Sequence, residues 1–148
     1  MSDIERPAHA ADASDSAGRD PGPRPAGAID ARRVDKPWGH ELIWALTDRY
    51  CGKILVIETG RRLSLQYHER KDESILVRSG RLLLHLDDEA GNMTTRELGP
   101  GESAHVAVGR RHRYEAIERV ELIEVSTPEL EDVVRVEDDF GREGTSAP

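Results

Sequence analysis

Three residue types able to hold a metal ion lie close together in the stretch 60–80: Gln66, His68 and Glu73. In an extended chain, residues two apart project from one face, so the Gln66 amide oxygen and a His68 ring nitrogen can reach one point in space. Glu73 joins them if the chain folds back after His68. An amide oxygen, an imidazole and a carboxylate are donors suited to a divalent cation, and such a site still needs a fourth ligand from elsewhere in the chain.

The elements that must position these donors are strands. From Val34 onward short apolar runs alternate with period two, punctuated by Gly, Asp and Pro. The pattern predicts strands over 40–46, 52–58, 62–68, 73–79, 81–87, 93–98, 103–108, 112–117 and 120–126, with turns between most of them. Many short strands at regular spacing read as an all-β sandwich or barrel. If Gln66 and His68 point inward, Leu63, Leu65 and Tyr67 point outward and invite cover. The N-terminal strand, with Trp38, Ile43 and Trp44, could supply it, as could a second subunit, and a homodimer is expected. After Ser126 the strand pattern stops, and Thr127 is placed to cap a single helical turn.

Composition narrows the partners. The chain has 148 residues and a formal charge of −8, which argues against nucleic acid. Residues 1–30 are expected to form a disordered tail, because 22 of them are Ala, Pro, Gly, Ser or Asp and only Met1, Ile4 and Ile29 are large and apolar. One domain over 34–142 and a frayed end over 143–148 complete the expected layout. No secretory signal and no membrane span are legible, and the single cysteine, Cys51, cannot form an internal disulfide, so a cytoplasmic location is expected.

Two spaced patterns carry a family resemblance. Gly60-x5-Gln66-x-His68-x4-Glu73-x6-Gly80 resembles the first cupin motif, with Gln66 where a His usually stands. The second motif follows with Gly101, Gly109 and His112 in place, and with Ala107 and Ala116 replacing the usual Pro and Asn. The Gln variant, together with Lys36-Pro37-Trp38-Gly39 and the stretch 132–142, resembles the C-terminal cupin domain of type II phosphomannose isomerases. That resemblance implies a cupin double-stranded β-helix, a jelly-roll barrel. It implies Gln66, His68, Glu73 and His112 as metal ligands, and aldose–ketose isomerisation of a phosphorylated sugar. Where those enzymes continue after His68 with a His two residues on and then Arg-x-Glu-His-Trp, this chain has Arg70, Lys71, Glu73, Ser74 and Ile75.

The implied reaction moves a proton between neighbouring carbons, and one divalent metal (Zn, Mn, Fe, Co or Ni) would serve as Lewis acid and template. Lys71 has the strand parity of Glu73, so it could face the cavity as a base or as an electrostatic clamp; the competing reading is a solvated lysine in a turn. Arg113, Arg135 and Lys36 are the cationic candidates for holding a phosphate, each otherwise a surface or structural ion-pair residue. His40, His85 and His105 read as structural or surface residues and Cys51 as inert. The alternatives are a non-catalytic sugar- or sugar-nucleotide-binding cupin that partners a separate guanylyltransferase, and a cupin dioxygenase.

Overall fold

The computed structural model describes residues 26–145, so most of the expected tail lies outside the described residues. The chain forms ten strands: β1 Arg32–Lys36, β2 Gly39–Leu46, β3 Cys51–Ile57, β4 Leu65–Tyr67, β5 Glu73–Asp87, β6 Met93–Leu98, β7 Ser103–Val106, β8 His112–Ser126, β9 Val134–Glu137 and β10 Gly144–Thr145. No helix occurs among the described residues, and none long and apolar enough to cross a membrane.

The spine is the antiparallel ribbon of β5 and β8, each 15 residues long. Its register runs from Glu73↔Ser126 at one end to Leu86↔His112 at the other. At about 3.3 Å per residue a flat ribbon would hold those ends more than about 40 Å apart. Yet His112 Nε2 lies 3.0 Å from Glu73 Oε1, so the ribbon is folded over on itself. Register shifts between Val77 and Leu82 make the fold possible. At the bend Gly80 has φ +81°, and a Cβ there would meet the Arg119 carbonyl oxygen at 2.0 Å, so only glycine fits. One half of the ribbon joins β1, β2, β3 and β7; the other joins β4, β6, β9 and β10. The two sheets therefore face each other as a jelly-roll barrel.

Inward residues near the bend, Val77, Leu82, Ala116, Val120 and Leu122 among them, form the main core. A smaller cluster of Ile43, Leu46 and Cys51 lies beside it.

Several expectations need correction. The pairs 73–79 with 81–87 and 112–117 with 120–126 are two continuous strands, because the sheet bends without breaking its ladder. Leu63 is buried in the core instead of facing out. Regular pairing begins only at Leu65, and a bulge follows at Leu65/Gln66, so parity does not carry back to Leu63. The edge of β4 pairs with β9, from the C-terminal stretch. Thr127 caps no helix; its hydroxyl accepts the Asp72 backbone N–H at 3.0 Å. Residues 144 and 145, expected to be frayed, pair with β9.

Candidate metal centre

Folding the ribbon over brings the start of β5 against the start of β8, with the segment after β4 alongside. Donor atoms of His68, Glu73 and His112 all lie within 4.8 Å of one another, and all three residues are buried. His112 Nε2 is 3.0 Å and His68 Nε2 3.6 Å from the same oxygen, Glu73 Oε1. The Nδ1 of each ring faces a backbone carbonyl, Asp132 O at 2.5 Å and Arg110 O at 2.9 Å. A carbonyl only accepts, so each Nδ1 carries the proton and each Nε2 presents a lone pair. Neither Nε2 has a hydrogen-bond partner among the described residues. Two buried lone pairs aimed at one carboxylate oxygen are costly on their own and suit a divalent cation bound between them. Gln66 pairs directly with His112 across β4 and β8, and its side chain lines the same cavity. Its Oε1 accepts the Ser64 hydroxyl at 2.7 Å, which fixes the amide orientation.

A charged surround supports Glu73. Tyr114 donates its hydroxyl to Glu73 Oε1 at 2.8 Å. Lys71 Nζ lies 3.0 Å from Glu73 Oε2 and 3.5 Å from Glu124 Oε2. Burial alone would push the Glu73 carboxyl up, but the surrounding charges, the Lys71 ammonium foremost, hold it well below the usual range. Burial likewise disfavours the Lys71 ammonium, yet Glu124 and Glu73 raise it above its ordinary value. Lys71 is therefore a buried cation and no solvated turn residue. Glu124 is pushed up to about 7 by burial, with the Glu73 charge adding to it against Lys71. Burial also raises the Tyr114 phenol, and the neighbouring Glu73 and Glu124 add to it.

The loop before β5 is pinned from the far side. The Asp132 carboxylate accepts backbone N–H groups of Glu69 at 3.0 Å, Arg70 at 2.6 Å and Lys71 at 2.8 Å. One residue of the C-terminal segment thus orients His68 through its carbonyl and sets the approach of Lys71 through its side chain.

Of the other cationic candidates, Lys36 and Arg135 line the cavity. Arg113 does not. It alternates with the inward His112 and Tyr114 on β8, and its guanidinium donates to the backbone carbonyls of Leu63 at 2.8 Å and Glu137 at 3.2 Å, tying strands together behind the site. His85 pairs with Glu115 and His105 with Asp72, away from the centre. Burial raises the Cys51 thiol, in keeping with an inert residue.

Sequence reasoning missed Glu124, Tyr114, Glu41, Lys53 and Arg142, all of which line the cavity. A signal was present for Glu124. Glu121 and Glu124 are three apart on one strand, so opposite parity forces one of them inward. Lys53 likewise stands alone in an apolar run.

Comparison with known proteins places this geometry. The family described as mannose-6-phosphate isomerase C-terminal matches residues 27–138. Mannose-1-phosphate guanylyltransferase ManC of Salmonella typhimurium is 33% identical over 116 residues, covering 75% of this chain and 23% of the relative. The alginate biosynthesis protein AlgA of Pseudomonas aeruginosa is 30% identical over 114 residues, covering 74% of this chain and 23% of the relative. The chain thus spans about a quarter of the length of the curated relatives it matches. Among solved structures, KdgF from Halomonas sp. aligns with TM-score 0.58 at 24% identity, covering 68% of this chain and 86% of that one. Oxalate decarboxylase from Bacillus subtilis aligns with TM-score 0.64 at 14% identity, covering 75% of this chain and 33% of that one. With the jelly-roll barrel and the two spaced motifs, these matches establish that the chain belongs to the mannose-6-phosphate isomerase C-terminal family of cupins.

Proposed function

We propose that the protein is a metal-dependent aldose–ketose isomerase of a phosphorylated sugar, of the mannose 6-phosphate class. The observation that carries this reading is the pair of tautomer-fixed imidazoles whose Nε2 atoms, without a hydrogen-bond partner among the described residues, face Glu73 beside a cavity lined by His68, Lys71 and Glu124. His68, Glu73 and His112 would hold the metal, with Gln66 completing the set. When bound, the metal supplies Lewis-acid polarisation of the sugar carbonyl.

The protein's own residues do the rest. Glu124 is the cavity carboxylate outside the ligand set that is pushed up, to about 7, chiefly by burial, whereas Glu41, despite its burial, is lowered by Lys53 and Lys36. Glu124 therefore takes the proton from one carbon and returns it to the next. Lys71 stays charged between Glu73 and Glu124 and acts as an electrostatic clamp on developing negative charge, not as a base. Arg113, tied up behind the site, takes no part in this reading.

A second reading, a non-catalytic sugar- or sugar-nucleotide-binding cupin that partners a separate guanylyltransferase, draws on the relatives, more than three times as long and named as guanylyltransferases. One experiment separates the two. Untagged protein is purified, its metals are quantified, and mannose 6-phosphate and fructose 6-phosphate are followed by NMR. Stoichiometric metal with interconversion supports the isomerase. Metal without turnover of any sugar phosphate supports the binding module, and absence of stoichiometric metal removes the enzyme reading.

A further inference from the structure

Arg135 is an electrostatic anomaly. It is 7% exposed, on β9, and its side chain lines the cavity of the metal centre. Its Nε has no hydrogen-bond partner among the described residues. Asp138, whose field it feels, is committed to Arg142, which holds it with Nε at 2.8 Å and a second nitrogen at 3.2 Å. Other cations crowd toward it. Lys36 and Arg142 line the same cavity, and the charge of Arg142 bears on both Lys36 and Arg135. Among the described residues Lys36 has only a distant carboxylate, Glu41 Oε1 at 3.9 Å. A buried guanidinium without a counter-charge is expensive, and like charges beside it add to the cost. A fold that packs such a group into a cavity has left room for an anion.

The register fixes where that anion sits. Arg135 pairs directly with Gln66, and Gln66 with His112, so the three lie in one row across β9, β4 and β8. Directly paired residues share a face, and two strand spacings put Arg135 about 9.6 Å from His112, backbone to backbone. With bonds of about 1.5 Å, an open six-carbon sugar spans on the order of 7 Å from its carbonyl end to a terminal phosphorus. A sugar whose carbonyl end lies at His68, Glu73 and His112 therefore carries its far end to Arg135.

From this row we infer that Arg135, flanked by Lys36 and Arg142, is the receptor for the terminal phosphoryl group of the substrate. The guanidinium donates to two phosphoryl oxygens, and the flanking cations add charge. The inference rests on the isomerase reading for the identity of the ligand, but its test does not need turnover.

Arg135→Met and Arg135→Lys are compared with the unaltered, metal-loaded protein by thermal melting and by calorimetric titration. The probes are inorganic phosphate, a hexose 6-phosphate, the neutral hexose and a hexuronate. An unpaired buried charge predicts that R135M melts higher than the parent in phosphate-free buffer. Phosphate should raise the melting temperature of the parent and leave R135M unmoved. The hexose 6-phosphate should bind R135M about 100-fold more weakly, with R135K in between, while neutral hexose and metal content stay as in the parent. Three outcomes overturn the inference: R135M melting lower than the parent, as loss of a structural arginine would give; a phosphate shift that survives in R135M, as for phosphate held by the metal alone; or a hexuronate binding as tightly as the phosphate. If the 6-phosphate binds through Arg135 but is never isomerised, the isomerase reading fails and the receptor stands. If isomerisation proceeds and R135M leaves KM unchanged, the receptor fails alone.

Discussion

Near the bend of the β5–β8 ribbon the interior is filled by Val77, Leu82, Ala116, Val120 and Leu122, each 0 to 1% exposed. Where the ribbon's ends meet, the same interior holds Glu41, Lys53, Lys71, Glu73, His112 and Glu124, nearly as deeply buried. Apolar side chains stabilise the fold by about 1.5–3 kcal/mol each on leaving water. Buried polar and charged groups recover their desolvation cost only through their partners, and here His68 Nε2, His112 Nε2, Glu124 Oε2 and Arg135 Nε have no hydrogen-bond partner among the described residues. The bend end therefore accounts for folding, and the charged end, on the proposed reading, is a pre-organised receptor that should gain stability from what binds it.

Substitutions at the two ends should respond differently to metal. Lys71 is the cation between Glu73 and Glu124, so Lys71→Met leaves two neighbouring buried carboxylates uncompensated. Urea unfolding of metal-free protein should show a loss of about 4 kcal/mol, most of it recovered on loading a divalent metal. An equal loss with and without metal would show that the ion cluster is purely structural. Leu82→Ala at the bend should cost about 3 kcal/mol by opening a cavity, whatever the metal content. If metal rescues that variant too, the two ends are not separable.

The bend also marks the limit of what the sequence makes legible. Period-two alternation and turn residues are enough to place most strands, and the spacing 68, 73 and 112 brings out three donors that the fold gathers together, with Gln66 paired to His112 on the neighbouring strand. The continuity of β5 and β8 through Gly80 is not visible, because a glycine that ends a strand and one that bends it look the same until the Arg119 carbonyl is in place. The outward position of Arg113, by contrast, is legible, because it follows the inward His112 on a period-two strand. Arg135 and Asp132 lie in a segment whose strand character depends on pairing with β4, a tertiary contact that leaves no periodic trace. Gly80→Ala tests the bend directly. The positive φ and the 2.0 Å approach to Arg119 O predict a loss of about 2 kcal/mol, with bound metal still stoichiometric in the folded fraction.

The smallest expected effect lies at the edge of the charged end, where Asp132 holds the 69–71 backbone. Burial alone would raise its carboxyl, but the N–H groups of Glu69, Lys71 and Arg70 outweigh that and lower it below the ordinary value. A carboxylate lowered in the folded state stabilises fully above its unfolded value, about 3.9, and loses that contribution as pH falls through the lowered folded value. Asp132→Asn keeps one acceptor oxygen and gives up the charge, so it should cost about 1 kcal/mol near neutral pH. The gap between parent and variant should then close on acidification below about pH 4, where the parent carboxylate is protonated as well. The loop's approach to Lys71 should loosen along with it, so metal affinity should fall modestly while the bend-end core stays intact. Denaturation curves at stepped pH, run beside a metal titration, read both effects. A stability gap that persists unchanged into acid would show that Asp132 acts through packing and not through its charge.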